Sequence, residues 1–226
     1  GFEALLRWRH PERGLIPPAE FIPTAEEIGL ISSLGDWVLR EACAEAARWP
    51  EPLRVAVNIS PVHFIGQNLL HTVVGSLAAS GLPANRLELE VTEAVLLQST
   101  ERTLNTMRQL RDLGVRIAMD DFGTGYSSLS YLRNFPFNKI KIDRDFIRDI
   151  ARQESARSIV RAVIALGASL GMTTTAEGVE TEEQLKILRA EGCTEMQGHL
   201  FSPARPAAEI ERLFLRRTRR RSVTAA

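Results

Sequence analysis

The chain has 226 residues with 28 Lys+Arg against 28 Asp+Glu, so no global field marks it as a binder of polymeric nucleic acid. Hydrophobic residues at 44% and charged residues at 25% exclude a disordered or fibrous class, and no apolar run reaches the length of a membrane span. Two cysteines, Cys43 and Cys193, exclude a disulfide framework or structural zinc site and fit a reducing, cytoplasmic setting.

In chain order, a first strand is predicted over Phe2–Trp8, with Glu3 and Arg7 on one parity and both directed inward. Two helices follow within Ala19–Trp49, joined near Ser33 to Gly35. A strand over Arg54–Ser60 runs Val55-Ala56-Val57 into Asn58, and a helix occupies Pro61–Ala79. Leu87–Thr92 is a strand in which Leu87 and Leu89 bracket Glu88 and lead to Glu90. A helix over Ser99–Leu113 precedes the strand Arg116–Asp120. The segment from Asp121 to Ser128 bears two glycines, a composition suited to tight turns and to a mobile lid. Asn138–Asp143 is a strand in which Ile140 and Ile142 flank Lys141. A helix over Ser155–Leu170, a strand over Met172–Glu177, a helix over Thr181–Ala190 and a strand over Glu195–Phe201 complete the pattern. Gly81, Gly114, Gly171 and Gly192 each follow a helical run and can take the left-handed conformation that ends it.

This alternation predicts βα units around a parallel sheet. Seven strands are one short of the common barrel, and the eighth is expected upstream of Gly1. One domain is expected over residues 1–215. A basic tail over 216–226, with five arginines between Arg216 and Arg221, is expected to be disordered.

The apolar strands end in polar groups that a buried sheet would not choose. In a parallel barrel those ends share one rim, and active sites lie there. Carboxylates converging at a rim repel unless cations neutralise them. The candidate ligands Glu3, Asn58, Glu90, Asp120, Asp121 and Glu177 all offer oxygen, which suits Mg²⁺ or Mn²⁺ rather than zinc. Adjacent Asp120 and Asp121 can bridge two ions roughly 3.5–4 Å apart, an arrangement used in phosphoryl displacement. The fork of Arg7 suits a phosphodiester oxygen, and Lys141 can orient water or neutralise charge developing on phosphate.

Blander readings stand beside these. Glu88, Glu93 and Glu180 can be surface charges or caps, Asn58 can cap the helix at Pro61, and Lys139 can be a solvated neighbour of Lys141. Asp143 can pair with Lys141 or Arg144. The four histidines have no metal-ligand spacing and are read as surface or packing residues.

Over nearly its whole length the chain resembles the EAL-domain family. The resemblance is carried by Glu3-Ala4-Leu5-Leu6-Arg7-Trp8, Phe21-Ile22-Pro23, Val57-Asn58-Ile59-Ser60, Glu90-Val91-Thr92-Glu93, Asp120-Asp121-Phe122-Gly123-Thr124-Gly125, Lys141-Ile142-Asp143, Ala176-Glu177-Gly178-Val179-Glu180 and Gln197-Gly198. It implies a TIM-like (β/α) barrel, with the family's first strand missing from this N-terminus. The implied activity is metal-dependent hydrolysis of cyclic di-GMP to linear pGpG in bacterial signalling. The alternative is a catalytically silent module that binds cyclic di-GMP.

By resemblance, Glu3, Asn58, Glu90 and Asp120 hold one Mg²⁺ or Mn²⁺, and Asp120, Asp121 and Glu177 serve a second. Lys141 and Glu177 lie by the attacking water. Arg7, Glu180 and Gln197 contact substrate or line its site, while Glu93 supports the lid formed by Phe122, Gly123, Thr124 and Gly125. The resemblance also implies homodimerisation, an upstream sensor or GGDEF domain, and a cytoplasmic domain whose parent protein is open to membrane anchoring.

Overall fold

The computed structural model describes residues 1–66, 68–97, 101–123, 132, 134–210 and 212. Its centre is a seven-stranded parallel sheet. The strands in chain order are β1 (Phe2–Ala4), β4 (Val55–Asn58), β5 (Leu87–Thr92), β6 (Arg116–Phe122), β7 (Lys139–Ile142), β8 (Thr173–Ala176) and β9 (Glu195–Met196), and they lie in that order across the sheet. The helices that matter for packing are α2 (Ile31–Ala46), α4 (Leu69–Ser80), α6 (Glu101–Asp112), α8 (Glu154–Ser169) and α9 (Glu182–Ala190).

Side chains alternate across a strand, and here the alternation separates two environments. Val55 and Val57, Leu87 and Leu89, Ile117 and Met119, and Ile140 and Ile142 join one buried apolar cluster. That cluster also holds Leu39 and Cys43 of α2, Val73 of α4, Leu110 of α6, Val160 of α8 and Leu188 of α9. Burying each such side chain stabilises the fold by about 1.5–3 kcal/mol. The opposite parity carries Asn58, Glu88, Glu90, Asp120, Lys139 and Lys141. The inner face of the curled sheet is therefore charged, and the hydrophobic core lies between the sheet and its helices.

The TIM-like α/β reading and the helix-ending glycines hold: Gly81, Gly114, Gly171 and Gly192 have φ of 70°, 96°, 70° and 85°. The structure adds a capping box at the start of α9, with Thr181 Oγ1 accepting from the Gln184 amide and Gln184 Oε1 accepting from the Thr181 amide.

Several boundaries differ from the sequence expectation. Phe2–Trp8 is not one strand: β1 stops at Ala4, and Trp8–His10 (β2) pairs antiparallel with Gly14–Ile16 (β3). The turn between β2 and β3 is held by His10 Nδ1, which accepts from the amides of Glu12 and Arg13, both at 3.2 Å. The first two helices, α1 (Pro18–Glu27) and α2, meet at Gly29 (φ 74°) rather than near Ser33 to Gly35. Gly35 instead lies inside α2, where a Cβ would come within 2.3 Å of His63 Nδ1. The Pro61–Ala79 helix is two, α3 (Pro61–Ile65) and α4, with Gly66 capping the first. The last strand is only Glu195–Met196. Ser99, Thr124 to Ser128 and the basic tail lie outside the described residues.

The short elements α5 (Glu93–Leu97), α7 (Arg144–Arg148) and α10 (Ala207–Ile210) complete the described helices longer than one turn. Edge strands β1 and β9 are not hydrogen-bonded to each other. Gln197, immediately after β9, reaches across and donates from Nε2 to Glu3 Oε2 at 2.5 Å.

Candidate active site

Six strand ends and the residue after β9 bring their polar side chains to one rim. β1 supplies Glu3, β4 Asn58, β5 Glu90, β6 Asp120 and Asp121, and β7 Lys141, while Glu177 directly follows β8 and Gln197 follows β9. Parallel register places Asn58 opposite Glu90 and Lys141 opposite Thr175. Lys141 is the hub. Its side chain is 2% exposed, and Nζ lies 2.7 Å from Glu90, 2.7 Å from Glu177, 3.0 Å from Asp120 and 3.9 Å from Glu3. Asn58 Nδ2 donates to Glu3 Oε1 at 2.6 Å.

Neighbours on a regular strand point to opposite faces, so Asp120 and Asp121 need a distortion to share a rim. The register with β7 shifts between Met119 and Phe122, and Asp121 has φ 53°, the one positive φ among described non-glycine residues. Such a bulge re-aims side chains, and holding a non-glycine residue there costs about 1–3 kcal/mol. The result brings ligand oxygens of Asp120, Asp121 and Glu177 within 4.8 Å of one another.

The electrostatics reflect this crowding. Burial pushes Glu90 up to about 8, reinforced by Glu3 and Asp120 and opposed by Lys141. Glu177 is pushed up to about 7 by burial and by Asp120, again against Lys141. Asp121 rises to about 6 through burial and the neighbouring Asp120 and Asp143. Burial disfavours the charge on Lys141, but Glu90, Glu3, Glu177 and Asp120 together hold its ammonium well above the ordinary lysine value. Carboxylates raised in this way are those that a cation would return to the ionised form. The all-oxygen donor set fits a hard divalent ion.

The blander readings sort clearly. Asn58 does not cap the helix at Pro61; Ser60 does, its hydroxyl accepting from the Val62 amide at 3.2 Å. Asp143 caps α7, accepting from the Asp145 amide at 2.8 Å. Glu93 is buried rather than a surface charge, and its Oε1 accepts from the Gly123 amide at 3.0 Å. Gly123, with φ 97° and the Phe146 ring 2.9 Å from where a Cβ would stand, admits no side chain without a shift. Phe122 is buried in the core cluster. Thr124 and Gly125 lie outside the described residues.

Two expected contacts are not brought into the cluster. Arg7 lies beyond the end of β1, is exposed, and donates from Nη1 to the Leu6 carbonyl at 2.8 Å. The parity that linked it to Glu3 fails because the strand ends first. Glu180 is exposed after β8, and its amide donates to Gln184 Oε1 at 2.8 Å.

Sequence reasoning missed a buried pair below the rim. Lys139 and Glu88 are 7% and 2% exposed, and Lys139 Nζ lies 2.6 Å from Glu88 Oε1. The signal was present as the two-residue period of Glu88-Leu89-Glu90 and Lys139-Ile140-Lys141, which puts each like pair on one face.

Gly198 shows how closely the rim is packed behind Gln197. A Cβ there would lie 2.2 Å from the Val179 carbonyl oxygen and 2.3 Å from its nitrogen. Because the obstacle is backbone, Gly198→Ala is expected to destabilise the protein by about 3 kcal/mol or more, read as a lower urea midpoint with unchanged slope. A midpoint equal to the parent's would contradict this packing.

The EAL domain family model matches residues 1–204. A protein named "Uncharacterized signaling protein" from Caulobacter vibrioides is 58% identical over 207 residues, 92% of this chain and 25% of that protein. Cyclic di-GMP phosphodiesterase PdeR of Escherichia coli is 42% identical over 221 residues, 96% of this chain and 33% of its own length. The solved structure described as PaMucR phosphodiesterase in a c-di-GMP complex superposes with a TM-score of 0.88 at 43% identity, covering 92% of this chain and 86% of that one. The chain spans about a quarter of the length of the first two curated relatives it matches. With the acidic rim in place on the parallel sheet and the family model spanning all of its strands, the chain belongs to the EAL domain family.

Proposed function

We propose that this domain hydrolyses cyclic di-GMP to linear pGpG and requires Mg²⁺ or Mn²⁺ to do so. The observation that carries the reading is the meeting of carboxylates from separate strands around one buried ammonium. Relatives named as cyclic di-GMP phosphodiesterases and a related structure in complex with c-di-GMP support the substrate class. Five carboxylates, Glu3, Glu90, Asp120, Asp121 and Glu177, with one ammonium carry a formal charge of minus four, and two divalent ions balance it.

In this reading Glu3, Asn58, Glu90 and Asp120 would hold one ion, and Asp120, Asp121 and Glu177 would serve the other. Bound ions supply Lewis acidity at phosphate and lower the pKa of bound water. Lys141 and Glu177, 2.7 Å apart, flank the attacking water: Glu177 accepts its hydrogen bond, and the fixed Lys141 ammonium offsets negative charge growing on the phosphoryl oxygens. Water adds to phosphorus, the 3′ ribose oxygen leaves with a proton, and the 5′ phosphate stays on the linear product. Arg7 and Gln197 are proposed to engage the substrate, with Glu180 lining its approach, and Glu93 to brace the segment entering the lid at Gly123.

Among the described residues no helix is long and apolar enough to cross a membrane. We place the domain in the cytoplasm as the output unit of a longer signalling protein with a sensor or GGDEF domain upstream, and it is expected to pair as a homodimer. Chromatography of cyclic di-GMP incubated with the chain tests the core reading: pGpG is expected with Mg²⁺ or Mn²⁺ and none with EDTA. Intact substrate at saturating Mn²⁺, with retained binding, would assign a silent receptor instead.

A further inference from the structure

Below the rim, the inner face of the sheet carries a second tier of charge that the proposed hydrolysis does not use. Glu88 precedes Glu90 by two residues on β5, and Lys139 precedes Lys141 by two on β7, so the Glu88–Lys139 pair repeats Glu90–Lys141 one step down the same strands. The separations match, at 2.6 Å and 2.7 Å. β6 lies between these strands; its inward residues here are Arg116, in register with Glu88, and Ala118, in register with Lys139, the latter fully buried and short enough for the Glu88 and Lys139 side chains to meet over it. Lys139 Nζ also lies 2.6 Å from Glu195 Oε2. Glu88 takes a further contact from Arg116 Nε at 3.2 Å, and Glu195 one from Thr175 Oγ1 at 3.2 Å.

The two tiers are not sealed from each other. One cavity of about 360 Å³ is lined by Glu88, Lys139 and Glu195 below and by Glu3, Glu90 and Lys141 above. A cation admitted at the rim therefore faces a second pair of carboxylates deeper in the same space. What stands between Glu88 and Glu195 is the Lys139 ammonium, in contact with both. Resting on the rim being the metal site, we infer that Lys139 is a positioning residue: a built-in cation that fills the lower tier and confines divalent ions to the upper one. A purely structural salt bridge would have no bearing on how many ions the protein holds.

Counting ions tests this. Lys139→Met and Lys139→Gln, the second retaining a hydrogen-bond donor without charge, are each expected to bind one more Mn²⁺ per chain than the parent, read by equilibrium dialysis. Adding Glu88→Gln to Lys139→Met is expected to return the parental count. Either lysine variant that melts early without divalent ions is expected to recover its melting temperature with Mn²⁺, because the ion takes the place of the ammonium. An unchanged count in both variants, or instability that Mn²⁺ does not relieve, overturns the inference. The count in Asp120→Asn compared with Asp120→Asn/Lys139→Met separates it from the rim assignment. One extra ion in the double variant supports the lower-tier role even if the upper site is lost, and equal counts overturn that role alone.

Discussion

Replacing Asp120 with Asn is expected to lower cyclic di-GMP turnover by more than about a hundredfold, since changes merely behind a metal's ligands already cost about 10–100-fold. Asparagine keeps the size and one oxygen of aspartate, so the buried end of β6 can still pack. What it loses is a charge that faces both proposed ion positions. Asp120 lies 3.0 Å from Lys141, and its carboxylate shares a 4.8 Å neighbourhood with Asp121 and Glu177. The measurement is steady-state hydrolysis across a Mn²⁺ titration, beside Mn²⁺ binding to the same variant. Activity within threefold of the parent at saturating Mn²⁺ would remove Asp120 from the site.

Lys141→Met has the second large effect, and it divides between stability and rate. Without metal, the ammonium is the counter-charge in contact with Glu90, Asp120 and Glu177, and removing it leaves buried carboxylates facing one another. Breaking a buried pair from one side costs about 3–5 kcal/mol, which for a chain of this length corresponds to a melting temperature about 6–20 °C lower. Mn²⁺ is expected to restore most of that loss, because divalent charge compensates the same oxygens. Turnover is expected to stay down by about 10²–10³-fold, the usual cost of losing one group that stabilises transition-state charge. Calorimetric scans with and without Mn²⁺, paired with single-turnover assays, read the two effects separately. A metal-restored variant that also recovers its turnover would make Lys141 a structural counter-ion alone.

Both predictions rest on residues that stand out in the sequence, because each closes or interrupts an apolar run. Val57-Asn58, Leu89-Glu90 and Met119-Asp120 announce a polar rim as soon as the strands are taken as parallel. The helix-ending glycines were legible for the same reason, since their causes lie within a few residues. Boundaries that depend on distant partners were not. Nothing between Phe2 and Trp8 says that β1 stops at Ala4; it stops because β4 pairs with it only through Val57, after which the chain turns into the β2–β3 hairpin. Arg7 was misplaced with it.

The sequence alone determined the period-two alternation that makes one sheet face apolar and the other charged, the order of the seven strands of the parallel sheet, and the oxygen-only chemistry of the candidate ligands. The tertiary structure decided which charges meet. It turned Asp121 toward Asp120 through a bulge and a positive φ, seated Lys141 among carboxylates from four strands, and buried Lys139 with Glu88 where isolated residues had read as solvated. Coulombic energy depends on separation and on local dielectric, and both arise only when strands 51 residues apart in the chain, as for Glu88 with Lys139 and Glu90 with Lys141, are brought within hydrogen-bond distance.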